Sequence, residues 1–380
     1  MHHDSQSATG APAATLVFSP RACVKGRGTA WAIEHRFASE HHQSVDDGWG
    51  VLEQLAREEA VSPQTEIIEQ RVKTILSGND SPDIPFDLSI NPYRGCEHGC
   101  VYCFARPTHS YLNLSPGLDF ETKIIAKVNA AERLREALAS RSYEALPLNI
   151  GSATDAYQPA ERRLGITRSL IEVLAEHRHP FSIITKSSGI ERDIDLLAPL
   201  ARERLVSVYI SIPTLDAELA RVMEPRATAP ARRLRTMERL AQAGIPVGVS
   251  VSPLIPFLNE PELEQVLAQA RDAGATTAFC TVLRLPWEVN PLFQQWLQTH
   301  FPDRAARVMA RVRELRGGRD NDSRFGQRMS GQGVWAQLLN QRFEKATERL
   351  GLARQRVELD LSQFRRLPGL GPSPSQRALF

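Results

Sequence analysis

The stretch INPYRGCEHGCVYCFARP, residues 90–107, carries three of the chain's five cysteines within eight positions. They are Cys96, Cys100 and Cys103, in the spacing C-x3-C-x2-C. Thiolates at such short intervals are typical metal ligands, and an odd total with three members bunched does not fit a disulfide framework. The spacing therefore predicts a metal centre on this loop, and the number of ligands has to decide its kind.

Two kinds of centre are compatible with three cysteines. A structural zinc ion takes four Cys or His ligands, so it would need His98 from the same loop, or the remote Cys23 or Cys280. A [4Fe–4S] cluster has four irons and normally takes four thiolates, so three cysteines leave one iron open for a substrate or cofactor. Because the usual second pair of zinc ligands is missing from the sequence, we favour the cluster.

The composition shows no global charge preference. The chain has 380 residues, 46 basic and 44 acidic, with a formal net charge of +2, so nucleic-acid binding would have to rest on a local patch. The N-terminus lacks a basic start followed by an apolar run, and no apolar stretch is long enough to span a bilayer. We expect a cytoplasmic protein with reduced thiols and no membrane association.

From residue 86 to about 300, short apolar runs alternate with helical patterns. Runs rich in Val and Ile are typical of strands buried on both faces. Six of them occur, at residues 86–90, 146–152, 181–187, 205–212, 245–255 and 276–285. Six strand–helix units predict the α/β class and a parallel sheet that closes partly as a (β/α)6 TIM-type barrel. A doubly wound open sheet is the alternative, which these runs do not exclude.

Composition also divides the chain into three parts. Residues 1–82 form an N-terminal extension, in which we predict one helix from Thr65 to Leu76. Residues 83–300 form the predicted barrel. Residues 301–380 form a C-terminal helical extension that is rich in arginine and ends in a tail expected to be frayed after Leu352.

The cysteine motif resembles that of a known superfamily. C-x3-C-x-aromatic-C, with Tyr102 before the last cysteine, is similar to the signature of radical S-adenosylmethionine (radical SAM) enzymes. Residues 86–290 further resemble the spore photoproduct lyase-like group, often labelled DNA repair photolyases. The resemblance implies a [4Fe–4S] cluster on the three cysteines, whose open iron binds S-adenosyl-L-methionine (SAM). It also implies reductive cleavage of SAM to a 5′-deoxyadenosyl radical, with an electron donor such as flavodoxin or ferredoxin.

The same resemblance implies cofactor-binding residues at the ends of the predicted strands. The segment GSATDAYQPAE would bring a threonine and an aspartate to the methionine moiety of SAM, and the lysine of ITKSS would contact its carboxylate or ribose. YISIPTLD would bring a serine to the ribose or carboxylate, MEPRAT would contribute an arginine, and SVSPLIP would flank the adenine. The implied set is Tyr102, Ser152, Thr154, Asp155, Lys186, Ser211, Arg226 and Pro253. Cations suit a carboxylate, an aspartate suits an ammonium, and hydroxyls suit a ribose.

One position departs from the resemblance. In the lyase, a cysteine of the second-strand segment returns a hydrogen atom to the product radical, and the matching residue here is Ser152. A hydroxyl is a much poorer hydrogen-atom donor than a thiol, so thymine-dimer repair is disfavoured. Cys280 is the remaining barrel thiol and the one candidate for a catalytic role, although such a cysteine is more commonly a small buried apolar residue.

Two hypotheses of function follow. The first is a radical SAM enzyme of lyase or transferase type, with nucleic acid or a modified nucleoside as the leading substrate hypothesis. The second is a non-enzymatic iron–sulfur or zinc module that interacts with nucleic acid. For either, the arginines of residues 304–319 offer a local basic patch, and a solvated helix face is their ordinary role.

Overall fold

The computed structural model describes residues 16–17, 24, 26–37 and 64–368, so that Cys23 lies outside the described residues. Its strands are β1 (Leu16–Val17), β2 (Ala32–Ile33), β3 (Glu66–Gln70), β4 (Leu76–Gly78), β5 (Leu88–Ile90), β6 (Tyr93–Arg94), β7 (Lys123–Lys127), β8 (Leu148–Ile150), β9 (Phe181–Thr185), β10 (Val206–Ser211), β11 (Val247–Leu254) and β12 (Thr277–Val282). Its α-helices are α1 (Asp119–Thr122), α2 (Ala130–Ala139), α3 (Glu161–Leu164), α4 (Ile166–Glu176), α5 (Ile194–Arg202), α6 (Ala217–Met223), α7 (Pro230–Gln242), α8 (Leu263–Asp272), α9 (Val289–His300), α10 (Pro302–Leu315) and α11 (Gly333–Leu350). Short 3₁₀-helices lie at Arg106–Leu112, Ser188–Asp193, Glu260–Glu262 and Leu361–Gln363. Within these ranges, no helix has both the length and the apolar character that crossing a bilayer requires.

The main sheet has seven strands in the order β12-β11-β10-β9-β8-β5-β4. Six of these strands run parallel, namely β5, β8, β9, β10, β11 and β12. Strand β4 pairs with β5 in the antiparallel sense. These six are the strands predicted from the apolar runs, which are confirmed. They are hydrogen-bonded in chain order throughout, whereas a doubly wound sheet reverses its order at a switch point. The partial (β/α)6 barrel is confirmed and the doubly wound alternative is wrong.

One face of the barrel strands is apolar and meets the helices. Ile90, Ile150, Ile183, Val208 and Val247 lie in register across five neighbouring strands and are buried. They share one hydrophobic core with apolar residues of helices α2, α4, α5, α7 and α8. Burial of such surface stabilises a fold by about 25 cal/mol per Å², so this layer holds the barrel wall in place.

The opposite face of the same strands is small and polar. Ser89, Asn149, Ser182 and Ser207 form a row in register, and all four are buried. The Ser182 hydroxyl donates to Asn149 Oδ1 at 2.9 Å. Barrels of this type usually fill their interior with bulky branched side chains, and short polar side chains leave room for a ligand instead.

The helix predicted from Thr65 to Leu76 is wrong. The chain forms strands β3 and β4 there, and β3 pairs with β7 in parallel, with Ile67 opposite Ile124. The spacing of the isoleucines fits a helical pattern, but β-branched residues favour strands. Pairing with the KIIAK run of β7 therefore outweighs the local pattern.

The tail predicted to fray after Leu352 is instead held by hydrogen bonds to the barrel domain as far as Arg366. Ala353 bridges to Thr277 on the edge strand β12, and its N–H and C=O groups bond residues 276 and 278 at 2.9 Å. Further along, the N–H of Arg365 donates to the carbonyl of His177 at 2.7 Å, in the loop that precedes β9. The free backbone groups of an edge strand explain this pairing.

The N-terminal extension packs directly on the cysteine loop. The N–H of Gly28 donates to Glu121 Oε2 at 2.9 Å, and a Cβ added at Gly28 would lie 1.7 Å from the carbonyl oxygen of Gly99. Gly99 has φ +68°, in the left-handed region that favours glycine. The two backbones touch at a contact that requires glycine at position 28.

We expect Gly28→Ala to lower the free energy of unfolding by about 1–3 kcal/mol, because the added Cβ overlaps the Gly99 carbonyl and one backbone must move. Gly78→Ala is the control, since a Cβ there meets no atom within 4 Å, and it should change stability by less than about 1 kcal/mol. Urea unfolding measures both variants. Wild-type stability of Gly28→Ala would contradict the contact.

Candidate active site

The three cysteines lie on one loop between β6 and the first 3₁₀-helix. Cys96 and Cys100 are buried, and Cys103 is partly exposed. The fully buried Arg106 fastens the loop, since its guanidinium donates to two loop carbonyls at 3.0 and 3.3 Å and pairs with buried Glu121. The backbone that carries the thiols is thus held by protein groups.

The donor set fits an iron–sulfur cluster. Burial raises the pKa of all three thiols, so a strongly bound cation is needed to hold them as thiolates. His98, the nearest fourth ligand for zinc, faces Asp155, with Nδ1 and Oδ2 3.3 Å apart. Three thiols supply one ligand fewer than a closed tetrahedral zinc site requires. A [4Fe–4S] cluster spreads its ligands over several irons.

Asp155 ties the cysteine loop to the ends of strands β8 and β9. Oδ1 accepts a hydrogen bond from Thr185 Oγ1 at 2.7 Å, and Oδ2 accepts one from the N–H of Lys186 at 2.7 Å and faces His98. Burial favours the neutral acid, but His98 and the hydrogen bonds outweigh it and lower the pKa of Asp155 well below its usual range. With both oxygens occupied, Asp155 holds its neighbours in position.

Glu224 makes a second tie to the loop. Its carboxylate accepts hydrogen bonds from the Tyr102 hydroxyl and the Arg233 guanidinium, and it lies 3.8 Å from Lys186 Nζ. Lys186 Nζ also donates to Ser211 Oγ at 2.9 Å. Burial opposes charge on both groups, yet Arg233 and Lys186 lower the pKa of Glu224, and Glu224 raises that of Lys186. Both therefore stay ionised at neutral pH.

The polar segment after β8 is shaped by Asn91. Its Oδ1 accepts hydrogen bonds from the N–H groups of Ala153 at 2.8 Å and Thr154 at 3.3 Å, and its Nδ2 donates to Ser152 Oγ at 3.2 Å. The Thr154 hydroxyl donates to the carbonyl of Tyr93 at 3.3 Å. One asparagine after β5 thus sets the position of the segment predicted to contact SAM.

The cysteine loop, Asp155, Lys186 and the segment after β8 line one cavity of about 830 Å³. It reaches from the cysteine loop into the polar barrel interior, and its size suits a small-molecule site. The predicted site residues in its wall are Cys96, Cys100, Tyr102, Cys103, Ser152, Thr154, Asp155, Lys186, Ser211, Pro253 and Cys280. The fold therefore brings together residues from the first to the sixth barrel strand.

Arg226 is not among the residues that line this cavity. Its guanidinium lies 3.2 Å from Glu97 Oε1 and 3.3 Å from Thr65 Oγ1. The backbone N–H of Arg226 donates to the carbonyl of His98 at 3.2 Å. The arginine that the resemblance implied as a cofactor contact instead joins the cysteine loop to the N-terminal extension.

Cys280 belongs to the cavity wall, but its strand position favours a structural role. In β12 it lies opposite Val251, on the same strand face as Ala278 and Val282, which are members of the hydrophobic core. It packs against that core, and burial raises the pKa of its thiol to about 12. These are the properties of a small apolar residue.

Sequence reasoning missed three residues of the site, Asn91, Arg233 and Arg284. A signal existed for Asn91, because it is a polar residue directly after an apolar strand and before a proline. Arg284, in the run TVLRL, is a cation at the end of a strand, which is a weaker signal. Arg233 stands beside Arg232 in a helical pattern, and nothing local separates the buried arginine from its half-buried neighbour.

Comparison with known proteins bears on this arrangement. The family described as "Radical SAM superfamily" matches residues 90–270. An uncharacterized protein of Mycobacterium tuberculosis (strain ATCC 25618 / H37Rv) is 38% identical over 234 residues, which is 61% of this chain and 68% of that protein. An uncharacterized protein of Methanocaldococcus jannaschii is 24% identical over 244 residues, which is 64% of this chain and 86% of that protein. This chain belongs to the radical SAM superfamily.

As a radical SAM protein it also resembles solved structures of spore photoproduct lyase. A mutant of that lyase with bound AdoMet and dinucleoside spore photoproduct has a TM-score of 0.53 at 15% identity, covering 77% of this chain and 82% of that chain. A second mutant gives 0.53 at 15% identity, with coverage of 84% and 87%. At this identity the likeness shows the fold. Family membership makes the chain a radical SAM enzyme and implies a [4Fe–4S] cluster, SAM and an electron donor, so the non-enzymatic hypothesis is wrong.

In this radical SAM enzyme, Asp155→Asn should lower the free energy of unfolding by about 1.5–3 kcal/mol at pH 7, because it removes the buried negative charge that accepts hydrogen bonds from the Thr185 hydroxyl and the Lys186 N–H. The pKa of Asp155 is lowered on folding. Its contribution is therefore complete above the unfolded-state pKa of about 3.9 and is lost as the pH falls further toward the folded-state pKa. Urea unfolding should show a gap between wild type and variant that narrows below about pH 4.

The control for this measurement is Asp272→Asn, at an aspartate whose side chain is 68% exposed. It should change stability by no more than about 0.5 kcal/mol at either pH. A gap between wild type and Asp155→Asn that stays constant down to pH 3 would show that the ionised carboxylate is not what stabilises the loop.

Proposed function

We propose that this enzyme cleaves SAM reductively at a [4Fe–4S] cluster held by Cys96, Cys100 and Cys103, and directs the resulting 5′-deoxyadenosyl radical at an organic substrate. The observation that carries the proposal is that the three thiols line the same cavity as the polar ends of the barrel strands. The bound cluster supplies the electron for the cleavage, and the protein supplies binding and orientation.

Lys186 is the group that we assign to the carboxylate of SAM. Its ammonium lies in the cavity wall, held by Ser211 at 2.9 Å and Glu224 at 3.8 Å. Its side chain is only 18% exposed, so a carboxylate bound there is weakly screened by water. Ser211 adds a hydroxyl for the same carboxylate or the ribose.

The remaining polar groups divide between contact and positioning. The hydroxyls of Ser152 and Thr154 and the apolar Pro253 lie in the cavity wall, and they suit the polar groups and the adenine of SAM. Asp155 has both oxygens engaged, so we assign it to hold the backbone of Lys186 in place. Tyr102 is likewise assigned a positioning role, because its hydroxyl donates to the buried carboxylate of Glu224.

The three predicted parts of the chain take different roles in this proposal. The extension 1–82 supports the cysteine loop through Gly28, and residues 83–300 supply the cavity. The extension 301–380 closes the far end of the cavity with Arg356, whose guanidinium lies over three aromatic rings of the wall at 5.1, 5.5 and 5.9 Å. A closed far end keeps water away from a reactive radical.

Ser152 keeps lesion repair out of the proposal. One solved structure of spore photoproduct lyase holds dinucleoside spore photoproduct. The spore photoproduct lyase-like group is expected to have a thiol at the position of Ser152, whereas this chain has a hydroxyl that accepts a hydrogen bond from Asn91. We therefore propose a substrate other than a thymine dimer. A flavodoxin or ferredoxin is the proposed electron donor, and the cytoplasm is the proposed compartment because the three thiols must stay reduced.

Anaerobic reconstitution tests the cluster. Wild-type protein should bind about four irons and should form 5′-deoxyadenosine from SAM and dithionite. Replacing Cys96, Cys100 or Cys103 by alanine should abolish both, because each removes one of the proposed ligands. Cys280→Ala is the matched control and should keep iron and product, since this cysteine packs with the core.

Two results would refute the proposed function. One is a reconstituted wild type that forms no 5′-deoxyadenosine above the Cys100→Ala background. The other is a colourless protein that retains one zinc ion and no iron, which would make the loop a structural metal site.

We expect Lys186→Met to weaken SAM binding by about 10- to 100-fold, the loss of one hydrogen bond to a charged group, with iron content unchanged. Equilibrium binding of SAM to the reconstituted protein measures this. Lys123→Met is the control, because that ammonium is on the surface, 3.2 Å from Asp119, and its affinity for SAM should match the wild type. Wild-type affinity in Lys186→Met would place the SAM carboxylate elsewhere.

A further inference from the structure

Arg284 follows strand β12 and lies in the wall of the cavity that the three cysteines share. Its guanidinium lies over the ring of Phe104, 5.3 Å from the centroid, and Phe104 comes directly after Cys103 in the chain. It therefore stands beside the proposed cluster. It comes from the sixth barrel strand, whereas Lys186 comes from the third.

Among the residues that the structure describes, no carboxylate oxygen lies within 4.0 Å of the Arg284 guanidinium. Its polar contact is with Met329, whose Sδ lies 3.8 Å from Nη1. The nearby Asp83 is engaged by two nitrogens of Arg328, at 2.5 and 2.7 Å. Burial and the positive charge of Arg328 lower the pKa of Arg284, so the cation lies in an unfavourable setting.

Two other arginines near the cavity are paired with a carboxylate, and Arg356, which lies in the wall without one, is stacked over three aromatic rings at 5.1, 5.5 and 5.9 Å. Arg233 pairs with Glu224, and Arg354 pairs with Glu344 at 2.7 Å. Half-buried charges in proteins are normally paired in this way, because removal from water is costly. An uncompensated guanidinium in a cavity wall is suited to bind an incoming anion, and its planar fork matches a carboxylate or phosphate.

Phe104 provides the second part of the same subsite. Its ring is 49% exposed although it belongs to the cavity wall. An exposed aromatic ring beside a guanidinium offers a flat apolar surface next to a fixed positive charge. Together with Met329, it can pack against the uncharged part of a ligand whose anionic group is held by Arg284.

We propose that Arg284 binds an anionic group of the substrate, a phosphate or a carboxylate, while Phe104 packs against the adjoining part of the substrate. The proposal rests on the proposed function, since it takes the Lys186 side of the cavity to be occupied by SAM. A two-point contact with the guanidinium would fix the orientation of the substrate toward the cofactor. Arg284 is then a specificity-determining residue.

Matched charged and neutral probes test this proposal on the anaerobically reconstituted full chain. Calorimetric titration compares thymidine 5′-monophosphate with thymidine, and phenylacetate with phenylacetamide. We expect the charged member of one pair to bind at least about tenfold more tightly at low ionic strength, a difference of about 1.4 kcal/mol. The preferred pair identifies the group as phosphate or carboxylate. Arg284→Gln should reduce the preference to about twofold or less, because the charge that binds the anion is removed.

Two further variants complete the experiment. Arg239→Gln is the control, since this arginine is 62% exposed and pairs with Glu191 on the surface, and it should keep the wild-type preference. Arg284→Met removes the charge and keeps an unbranched apolar side chain, and it replaces Arg284→Gln if thermal melting shows that the latter does not fold.

The proposal is overturned if neither pair shows a charge preference in the wild type, or if the preference survives removal of the Arg284 charge. It is also overturned if the variant loses affinity for SAM to the same degree as for the probe, because Arg284 would then hold the cofactor. Probe binding needs no reductant, so it is measured independently of 5′-deoxyadenosine formation. A failure of the proposed function is thereby distinguishable from a failure of this inference.

Discussion

The arrangement of the site depends on two buried carboxylates that tie the cysteine loop to the barrel. Asp155 joins His98 of the loop to the end of strand β9, and Glu224 joins Tyr102 of the loop to Arg233 of helix α7. A buried charge that loses its partner costs about 3–5 kcal/mol, so the loop cannot move from the strand ends without a large penalty. The three thiols and the polar strand ends are thereby kept in one cavity.

The cavity itself exists because the barrel strands carry different residues on their two faces. Branched apolar side chains face the helices, and serines, an asparagine and a tyrosine face the interior. The apolar layer stabilises the wall while the interior stays open, and the C-terminal segment after Ala353 contributes Arg356 to the lining. One sheet therefore serves both as the core of the fold and as the lining of the site.

The strands and the metal-binding loop were predictable because their signals are local. Six apolar runs and a cysteine spacing each lie within a few residues, and the structure confirms the six strands. The alternation of Ser207, Tyr209 and Ser211 with branched residues was also present in the sequence, and it marks the interior face. The helix predicted from Thr65 to Leu76 failed because its residues find strand partners far along the chain.

The sequence by itself determined the superfamily, the barrel and the loop that carries Cys96, Cys100 and Cys103, because spacing and periodicity are properties of neighbouring residues. Only the tertiary structure decided how single polar residues are used. It turned Arg226 away from the cavity toward Glu97 and left Arg284 in the cavity wall without an acidic partner among the described residues. Both are arginines near strand or helix ends, and what separates them is which carboxylates the fold brings within reach.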